Sequence, residues 1–482
     1  MSVFSDKRVF GIKHKNSSGI STAGQVCAND VILWVIFLLP INIVIHGAGQ
    51  CFVTIGLFAG NVIGWIFLSK RMNSYSELSR KKIHNAPELF GARYSSWVLK
   101  DLVSVIWIAT LGLILLSVLK VIVSVAAYFL GVSGSLCLVA IVIFLVLATI
   151  LVDNRLMGMI KTAVFILVIL TCLFMIGLIF YKMDVWSILD NYRRARLKGG
   201  TSTYLNIMYY DGAKIDIGRA ISMTGTGLGC IAMPLMYKGV INIRDVKELD
   251  AGRIWAIVFE GFTIISTSVL ALLMVPVLYP QKVYYNMNSF QVYNLLLKKL
   301  LGQSDYAYIA RFVILMVFIV AVVVMLESFM RNICEHIRGL VPSLTNVGTV
   351  VKLIIDIGVV VLTGGVIFMT GELVEFNGET MIVSSWGLCA AALAAPLTLT
   401  LMYRNATKPG MYAGIISGIL GFFGWKYLPV VFNGSLEAYT GVSGDVAGFT
   451  ISLIVSMIVC LATKNTDEEE LRVFDRMREE QA

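Results

Sequence analysis

Long apolar segments alternate with short polar segments along the whole chain. A membrane-crossing helix needs about 20 predominantly apolar residues, and twelve segments approach or exceed this length. The pattern therefore predicts an all-α polytopic membrane protein. We predict its spans at 26–47, 50–69, 98–130, 133–152, 155–181, 217–238, 252–280, 306–334, 350–371, 380–403, 410–430 and 443–463.

Two of these segments contain residues that disrupt a regular helix. The first carries Asp30 and Pro40, and the sixth has three closely spaced glycines followed by Pro234. Glycine and proline release backbone groups from the helical ladder, and inside a membrane such groups must find partners in the protein or line a cavity. Because the interruptions fall at matching positions of two sets of five spans, they favour an inverted-repeat transporter with its site at the midplane. Helix packing alone is the alternative explanation.

The composition supports the membrane interpretation and suggests an orientation. With 57% hydrophobic and 14% charged residues, the chain exceeds what a soluble core absorbs. The net charge of +9 arises mainly in short loops, so we expect no nucleic-acid partner. A cytoplasmic N-terminus places most Lys and Arg residues inside, as the positive-inside rule requires. The loop at 182–216 is an exception, because its four basic residues at 193–198 would lie outside.

These boundaries divide the chain into four parts. We expect a cytoplasmic segment at 1–25, a ten-helix core at 26–403, two additional spans within 404–463 and a charged cytoplasmic tail at 464–482. The tail should be a short solvent-exposed helix or disordered. Both termini then lie in the cytoplasm.

Ionisable residues inside the spans are candidates for function. Asp30 either serves a site or caps its helix. Glu327 and Arg331 are one helical turn apart, which favours a simple ion pair. The eight cysteines form no CxxC pair and the four histidines lie far apart, so we expect no metal cluster. We also find no nucleophile–base set or phosphate loop, and therefore expect no enzyme activity.

Four segments resemble the sodium:solute symporter family, which includes proline and pantothenate symporters. They cover most of the chain in the family's order, although the extra leading span usual in that family is missing. The resemblance implies the LeuT-type inverted five-helix repeat, followed by two C-terminal helices. The segments are "ANDVILW" (28–34), "APELFGARYSS" (86–96), "GLGCIAMPLMYKGVINIRDVKELDAGRIW" (227–255) and "WGLCAAALAAPLTLTLMYRNATKPGMYAGIISG" (386–418).

The resemblance also implies an ion site, with departures. Backbone carbonyls of Ala28, Val31 and Ala321 would contribute oxygens to sodium, but the family's two hydroxyl positions are Val324 and Met325. Glu327, at a family Asp position, could instead supply charge or titrate. Sodium held by other ligands, proton coupling and no coupling therefore stay open, with Na⁺ or H⁺ as the only expected cofactor.

The same resemblance implies a solute site between the first, third and sixth spans. Thr226 and Cys230 replace aromatic residues that proline-type members carry, so we expect a solute other than proline. The candidate solute-binding residues are Asn29, Asp30, Trp34, Trp107, Thr226, Gly227, Gly229 and Cys230.

The leading hypothesis is a secondary active transporter of a small organic solute in the cell membrane. That solute would be amino-acid-like, vitamin-like or carboxylate-like, and alternating access would couple it to a cation. The other hypothesis is a degenerate family member that acts as a sensor, scaffold or complex subunit without transporting. The missing hydroxyls favour the second hypothesis.

Overall fold

The computed structural model describes residues 17–81, 83–152, 154–195, 197–281, 283, 287–341, 348–371, 378–431, 434–464 and 468–479. Residues 1–16 of the expected N-terminal segment lie outside this part of the chain, as do 465–467 and 480–482 of the expected tail. The elements below are built from the described residues.

Helices occupy all twelve positions at which spans are predicted. Among the described residues, eight helices are long and apolar enough to cross a membrane, and a ninth crossing consists of two helices that meet at 41°. Helices of 18, 23 and 20 residues fill the fourth, ninth and eleventh positions. Spans 1 to 12 are Gly19–His46, Ala48–Leu78, Trp97–Leu130, Gly134–Leu151, Asn154–Lys182, Ile217–Ala232 with Pro234–Ile241, Val246–Leu278, Asp305–Leu340, Thr349–Gly371, Gly378–Met402, Lys408–Tyr427 and Gly444–Ala462.

Shorter elements lie between the spans and after the last of them. Polar residues cap several of them: the side chains of Asn85 and Asp184 accept an N–H of the first turn, and Asn288 forms a reciprocal capping box with Gln291. The short helices are Ala86–Arg93, Val185–Arg194, Thr201–Tyr204, Ser289–Leu301, Leu436–Thr440 and Glu468–Glu479. Two hairpins pair Tyr209–Tyr210 with Ala213–Lys214, and Pro429–Val431 with Gly434–Ser435.

Span 1 starts earlier than predicted and stays helical where unwinding was expected. It is α-helical over Gly19–Ile32, widens into a π-helix at Leu33–Leu38, and is α-helical again over Leu39–His46. Pro40 has no N–H to donate, and one wide turn accommodates this loss without breaking the helix. The interruption that Asp30 and Pro40 predict in span 1 is therefore limited to one wide turn, and Asn29 and Asp30 lie in regular α-helix in this conformation.

Side chains satisfy the carbonyls around this wide turn. Ser289 Oγ donates to the Phe37 carbonyl at 2.6 Å, and Tyr293 Oη donates to the Val35 carbonyl at 3.4 Å. Both donors belong to the helix Ser289–Leu301, between spans 7 and 8. A buried carbonyl without a partner is costly. This helix therefore stabilises the irregular backbone of span 1.

Span 6 is broken, as its glycines and proline predict. Its helical pieces are Ile217–Gly225, Leu228–Ala232 and Pro234–Ile241. Met233, before the proline, is extended with ψ of 135°, as steric contact with the proline ring requires. The break exposes carbonyl groups at the level where other spans converge.

The described ends of the chain lie at one end of the bundle. The amide of Ser17 donates to the Asn242 carbonyl at 3.2 Å, beside the end of span 6. Asn73, late in span 2, donates to the Val240 carbonyl at 2.8 Å. The helix Glu468–Glu479 packs at the same end instead of lying free in solvent, because Phe474 is fully buried.

Candidate functional site

An aromatic cluster lies beside the first break of span 6. Trp386 of span 10 donates its indole N–H to the Thr226 carbonyl at 2.9 Å. Its ring meets that of Trp34 of span 1 edge-to-face, with centroids 5.6 Å apart. Gly229 packs against Trp386 so closely that a Cβ there would overlap the indole. The structure thus brings together Trp34, Thr226 and Gly229 of the predicted solute site, around a residue that we did not predict.

The second break of span 6 is held by span 3. Trp107 donates its indole N–H to the Ala232 carbonyl at 3.0 Å, and its ring lies 5.4 Å from that of His336 in span 8. Two indoles from two different spans therefore donate to carbonyls at the two breaks. Trp107 contacts span 6 at the far side of the short helix Leu228–Ala232 from Trp34, and its role in solute binding stays a prediction.

Gly227 and Cys230 contact span 2. A Cβ on Gly227 would overlap the Gly56 carbonyl, and a Cβ on Gly60 would overlap the Gly227 carbonyl. The Cys230 thiol donates to the Leu57 carbonyl at 3.7 Å. Small residues three to four apart allow this close backbone approach. In this conformation Gly227 serves helix packing, and its role in solute binding stays a prediction.

Asp30 lies close to a second buried carboxyl group, Glu260 of span 7. The Cys27 thiol donates to the Ala256 carbonyl at 3.6 Å. Asp30 and Glu260 lie one helical turn further along spans 1 and 7, which run parallel. They are 7% and 1% exposed. The two carboxyl groups lie close enough for their charges to interact when both are ionised. Asp30 Oδ1, Glu260 Oε2 and Asn29 Oδ1 have no hydrogen-bond partner among the described residues.

The residues predicted to hold sodium lie in helices, and all of them except Glu327 lack a side-chain oxygen. Ala28 lies within the regular α-helix Gly19–Ile32, whose carbonyls accept N–H groups further along the helix. Val31, Ala321 and Met325 are buried apolar side chains. The Val324 carbonyl accepts the Ser328 hydroxyl at 3.5 Å. We find no set of three His, Cys, Asp or Glu side chains arranged to hold a metal among the described residues.

Glu327 is bound by two cationic side chains. Lys161 of span 5 lies 2.8 Å from its Oε2, and Arg331 donates its Nε–H to Oε1 at 2.6 Å. All three residues are at least nine-tenths buried. The predicted intrahelical pair with Arg331 is present, and Lys161 adds a partner from another span.

Two further ion pairs neutralise carboxyl groups of spans 8 and 9. Lys238 contacts both oxygens of Glu335 at 2.7 Å, and Arg338 pairs with Asp356. Asp356, an intramembrane residue in span 9, thus has a structural partner. Asp30 and Glu260 differ from these carboxyl groups, because no ion pair joins either of them to a cation in the described chain.

The site is closed to solvent in this conformation. Trp34 and Cys230 are both less than a tenth exposed. Two cavities elsewhere are open. One, of 440 Å³, is an apolar groove between spans 5 and 7, and the other, of 470 Å³, is a polar depression around Glu88 and Lys100. A solute at the aromatic cluster would need the spans to separate.

Solved structures of transporters share this architecture. The chain is similar to a Na⁺-coupled sialic acid symporter in a substrate-bound outward-open state, with a TM-score of 0.67 at 13% identity, covering 95% of this chain and 93% of that one. It is also similar to Mhp1, a nucleobase-cation-symport-1 family transporter in a closed conformation with bromovinylhydantoin bound, with a TM-score of 0.54 at 12% identity, covering 98% and 100%. The sequence matches no protein-family model and no curated protein.

At such low identity these similarities establish the fold. The prediction of an all-α polytopic membrane protein with the LeuT-type inverted five-helix core and two C-terminal helices is confirmed. The similar structures are transporters and not enzymes.

Three residues of this region were not predicted from the sequence. Glu260 carried a readable signal, since it is a carboxyl group in the middle of an apolar span. Trp386 stood within a segment used for the family resemblance. Lys161 lies near the start of its span, where a lysine ordinarily reaches the interface; only the fold places it against Glu327.

Proposed function

We propose that this protein is a secondary transporter of a small organic solute that works by alternating access. The observation that carries the proposal is the broken span 6, whose freed carbonyls are held by indoles of spans 3 and 10 beside Trp34. Discontinuous helices at the midplane of inverted repeats are where such transporters bind solutes. The indole N–H of Trp34 is buried without a partner among the described residues, and could donate to a solute.

The chemistry of this cluster favours a flat or partly apolar solute with a polar edge. Trp34 and Trp386 provide aromatic surface, and Asn29 has an unpaired buried oxygen. The proposed solute class is amino-acid-like, vitamin-like or carboxylate-like. We further propose a distant relation to the sodium:solute symporters, which the four sequence segments support. The fold similarity to a Na⁺-coupled symporter is compatible with it.

Cation coupling belongs to the proposal, but the predicted sodium position does not favour sodium. Lys161 and Arg331 already place two positive charges on Glu327. A hard cation also needs several oxygen ligands, whereas Val324 and Met325 supply no hydroxyl. A coupling proton would need only a carboxyl group.

Binding to the purified protein tests the proposed site. A panel of amino acids, vitamins and carboxylates is screened for solutes that raise the unfolding temperature, with and without sodium and across pH. Trp34→Ala should abolish stabilisation by a solute that the wild type binds, because it removes one wall of the cluster. Trp97→Ala, a 75% exposed tryptophan at the start of span 3, is the matched control and should leave it unchanged. Equal loss in both variants would contradict this location.

The alternative function is a non-transporting membrane subunit or sensor. The cations on Glu327 and the absent hydroxyls favour it. Uptake by proteoliposomes separates the two functions: a solute that stabilises the protein should also accumulate inside. Binding without any accumulation, under sodium and proton gradients alike, would favour the sensor.

A further inference from the structure

Asp30 and Glu260 form a pair of buried carboxyl groups between spans 1 and 7. The contact of Cys27 with the Ala256 carbonyl sets the register of the two spans. Asp30 follows Cys27 by three residues and Glu260 follows Ala256 by four, so both carboxyl groups enter the same layer of the bundle. Each is more than nine-tenths buried with an oxygen that has no partner in the described chain.

The groups that face this pair cannot neutralise it. From span 1 comes the Cys27 thiol, from span 6 the Cys230 thiol and from span 10 the more distant Cys389 thiol, which donates to the Ala232 carbonyl. The nearby buried cations, Lys161 and Arg331, contact Glu327 instead. Two ionised carboxylates in such surroundings would repel one another and lose their hydration. At least one of them must bind a cation or a proton.

The surrounding atoms fit a proton better than a metal cation. Sodium or another hard cation requires a shell of several oxygens. Among the described residues, the Cys27 and Cys230 thiols face the pair, and the Ala256 and Leu57 carbonyls already accept these two thiols. A proton needs one carboxylate oxygen, and the second carboxylate can accept the resulting O–H.

We propose that Asp30 and Glu260 together form a proton-binding site. The proton comes from water on one side of the membrane, an O–H bond forms on one carboxylate oxygen, and the same bond breaks when the site opens to water on the other side. No oxidant or second reactant is required. Its role as the coupling site rests on the proposed transport function, whereas proton binding itself does not.

Infrared difference spectroscopy of the full-length protein in lipid nanodiscs tests the site, with protons alone as the probe. We expect a carbonyl-stretch band of protonated carboxyl that persists above the pH at which exposed carboxyl groups ionise and then titrates away. Asp30→Asn or Glu260→Gln should shift or weaken this band, and the double variant should lose it. Asp305→Asn, at an exposed carboxyl group at the start of span 8, is the control and should keep it.

Several outcomes would overturn the proposal. The double variant could keep the wild-type band, or sodium chloride at constant pH could remove the band, which would indicate a metal cation. The exchange variant Asp30→Glu with Glu260→Asp retains both carboxyl groups, so a folded exchange variant without the band would also contradict the site. An intact band in a protein that accumulates no solute would refute transport and leave the proton site standing.

Discussion

At the scale of single residues, the interior separates paired charges from unpaired carboxyl groups. Lys161 and Arg331 hold Glu327, whereas no cation among the described residues forms an ion pair with Asp30 or Glu260. In a medium of low polarity a charged group is tolerated when its partner is fixed in place. The ion pairs of Glu327 therefore hold spans 5 and 8 together. Asp30 and Glu260 remain able to bind a proton.

Glu327→Gln should strongly destabilise the protein. The change leaves Lys161 and Arg331 as neighbouring buried cations, and breaking such a pair costs about 3–5 kcal/mol. Adding Lys161→Met should recover part of this loss. The control is Glu469→Gln, at an exposed ion pair with Arg80, where about 0–1 kcal/mol is expected. Unfolding of the purified proteins would measure both, and equal effects would show that Glu327 is not anchored as described.

Ser289→Ala should expose the dependence of span 1 on a distant helix. The Phe37 carbonyl loses its donor, and an unsatisfied buried polar group costs about 1–3 kcal/mol. Ser124→Ala removes a serine that donates to a carbonyl of its own helix and is exposed, and should be nearly neutral. Comparable unfolding free energies for the two variants would contradict this account.

At the scale of elements, spans 2 and 6 meet backbone to backbone. Gly56 and Gly60 of span 2 both contact the backbone of Gly227, and no side chain separates the helices there. Such contact requires the absence of Cβ atoms. The break in span 6 therefore has a rigid wall on one side and the indoles of Trp107 and Trp386 on the other.

Gly227→Ala should force these spans apart. The added Cβ would overlap a carbonyl oxygen of span 2, and overpacking of this kind costs about 1–3 kcal/mol. Gly112→Ala is the matched control, because nothing lies within 4 Å of a Cβ at that helical glycine, and Ala favours helix by up to about 1 kcal/mol. A lower unfolding temperature is expected for the first variant only; a neutral Gly227→Ala would contradict the close contact.

The break of span 6 and the wide turn of span 1 differ in how far the sequence could predict them. Glycine and proline mark the break of span 6 directly, because their effects on the backbone are local. Span 1 also contains a proline, yet its carbonyls find donors in Ser289 and Tyr293, some 250 residues away in the chain. The pairing of Lys161 with Glu327 depends on the fold in the same way. Local signals therefore identify the spans and the break of span 6. Contacts with residues distant in the chain determine that span 1 stays helical.

At the scale of the whole molecule, the helix Glu468–Glu479 joins segments from distant parts of the chain. Arg93 lies 4.2 Å above the Phe474 ring and donates to the Tyr403 carbonyl at 2.8 Å. Tyr75 contacts Glu470 at 2.5 Å. The helix thereby connects the end of span 2, the helix Ala86–Arg93 and the end of span 10. Separation of these parts would require the helix to leave its place.

Phe474→Ala should release this helix. It removes a fully buried ring, and loss of a buried aromatic side chain costs about 3–5 kcal/mol. Limited proteolysis with a non-specific protease should then cut the tail several-fold faster than in the wild type. Arg476→Ala, on the exposed face of the same helix, should leave the cutting rate unchanged; equal acceleration would show that the tail is not docked through Phe474.

The same tail should respond to acid in a defined direction. A hydrogen bond from Arg404 lowers the pKa of Asp475. The contact therefore contributes stability above the ordinary pKa of an aspartate and loses it as pH falls through the lowered value. Proteolysis of the tail should be constant near neutrality and accelerate only in acid, and Asp475→Asn should remove part of that acid response. A tail that loosens between pH 6 and 8 would contradict this pairing.

The native cysteines can serve as probes of how the spans move. All eight are reduced, and seven are buried, including Cys27 and Cys230 beside the carboxyl pair. A pathway wide enough for a small alkylating reagent to reach that pair would also expose one of these two sulfurs to it. The identity of the modified thiol and the rate of its modification can therefore indicate from which side the centre of the bundle opens.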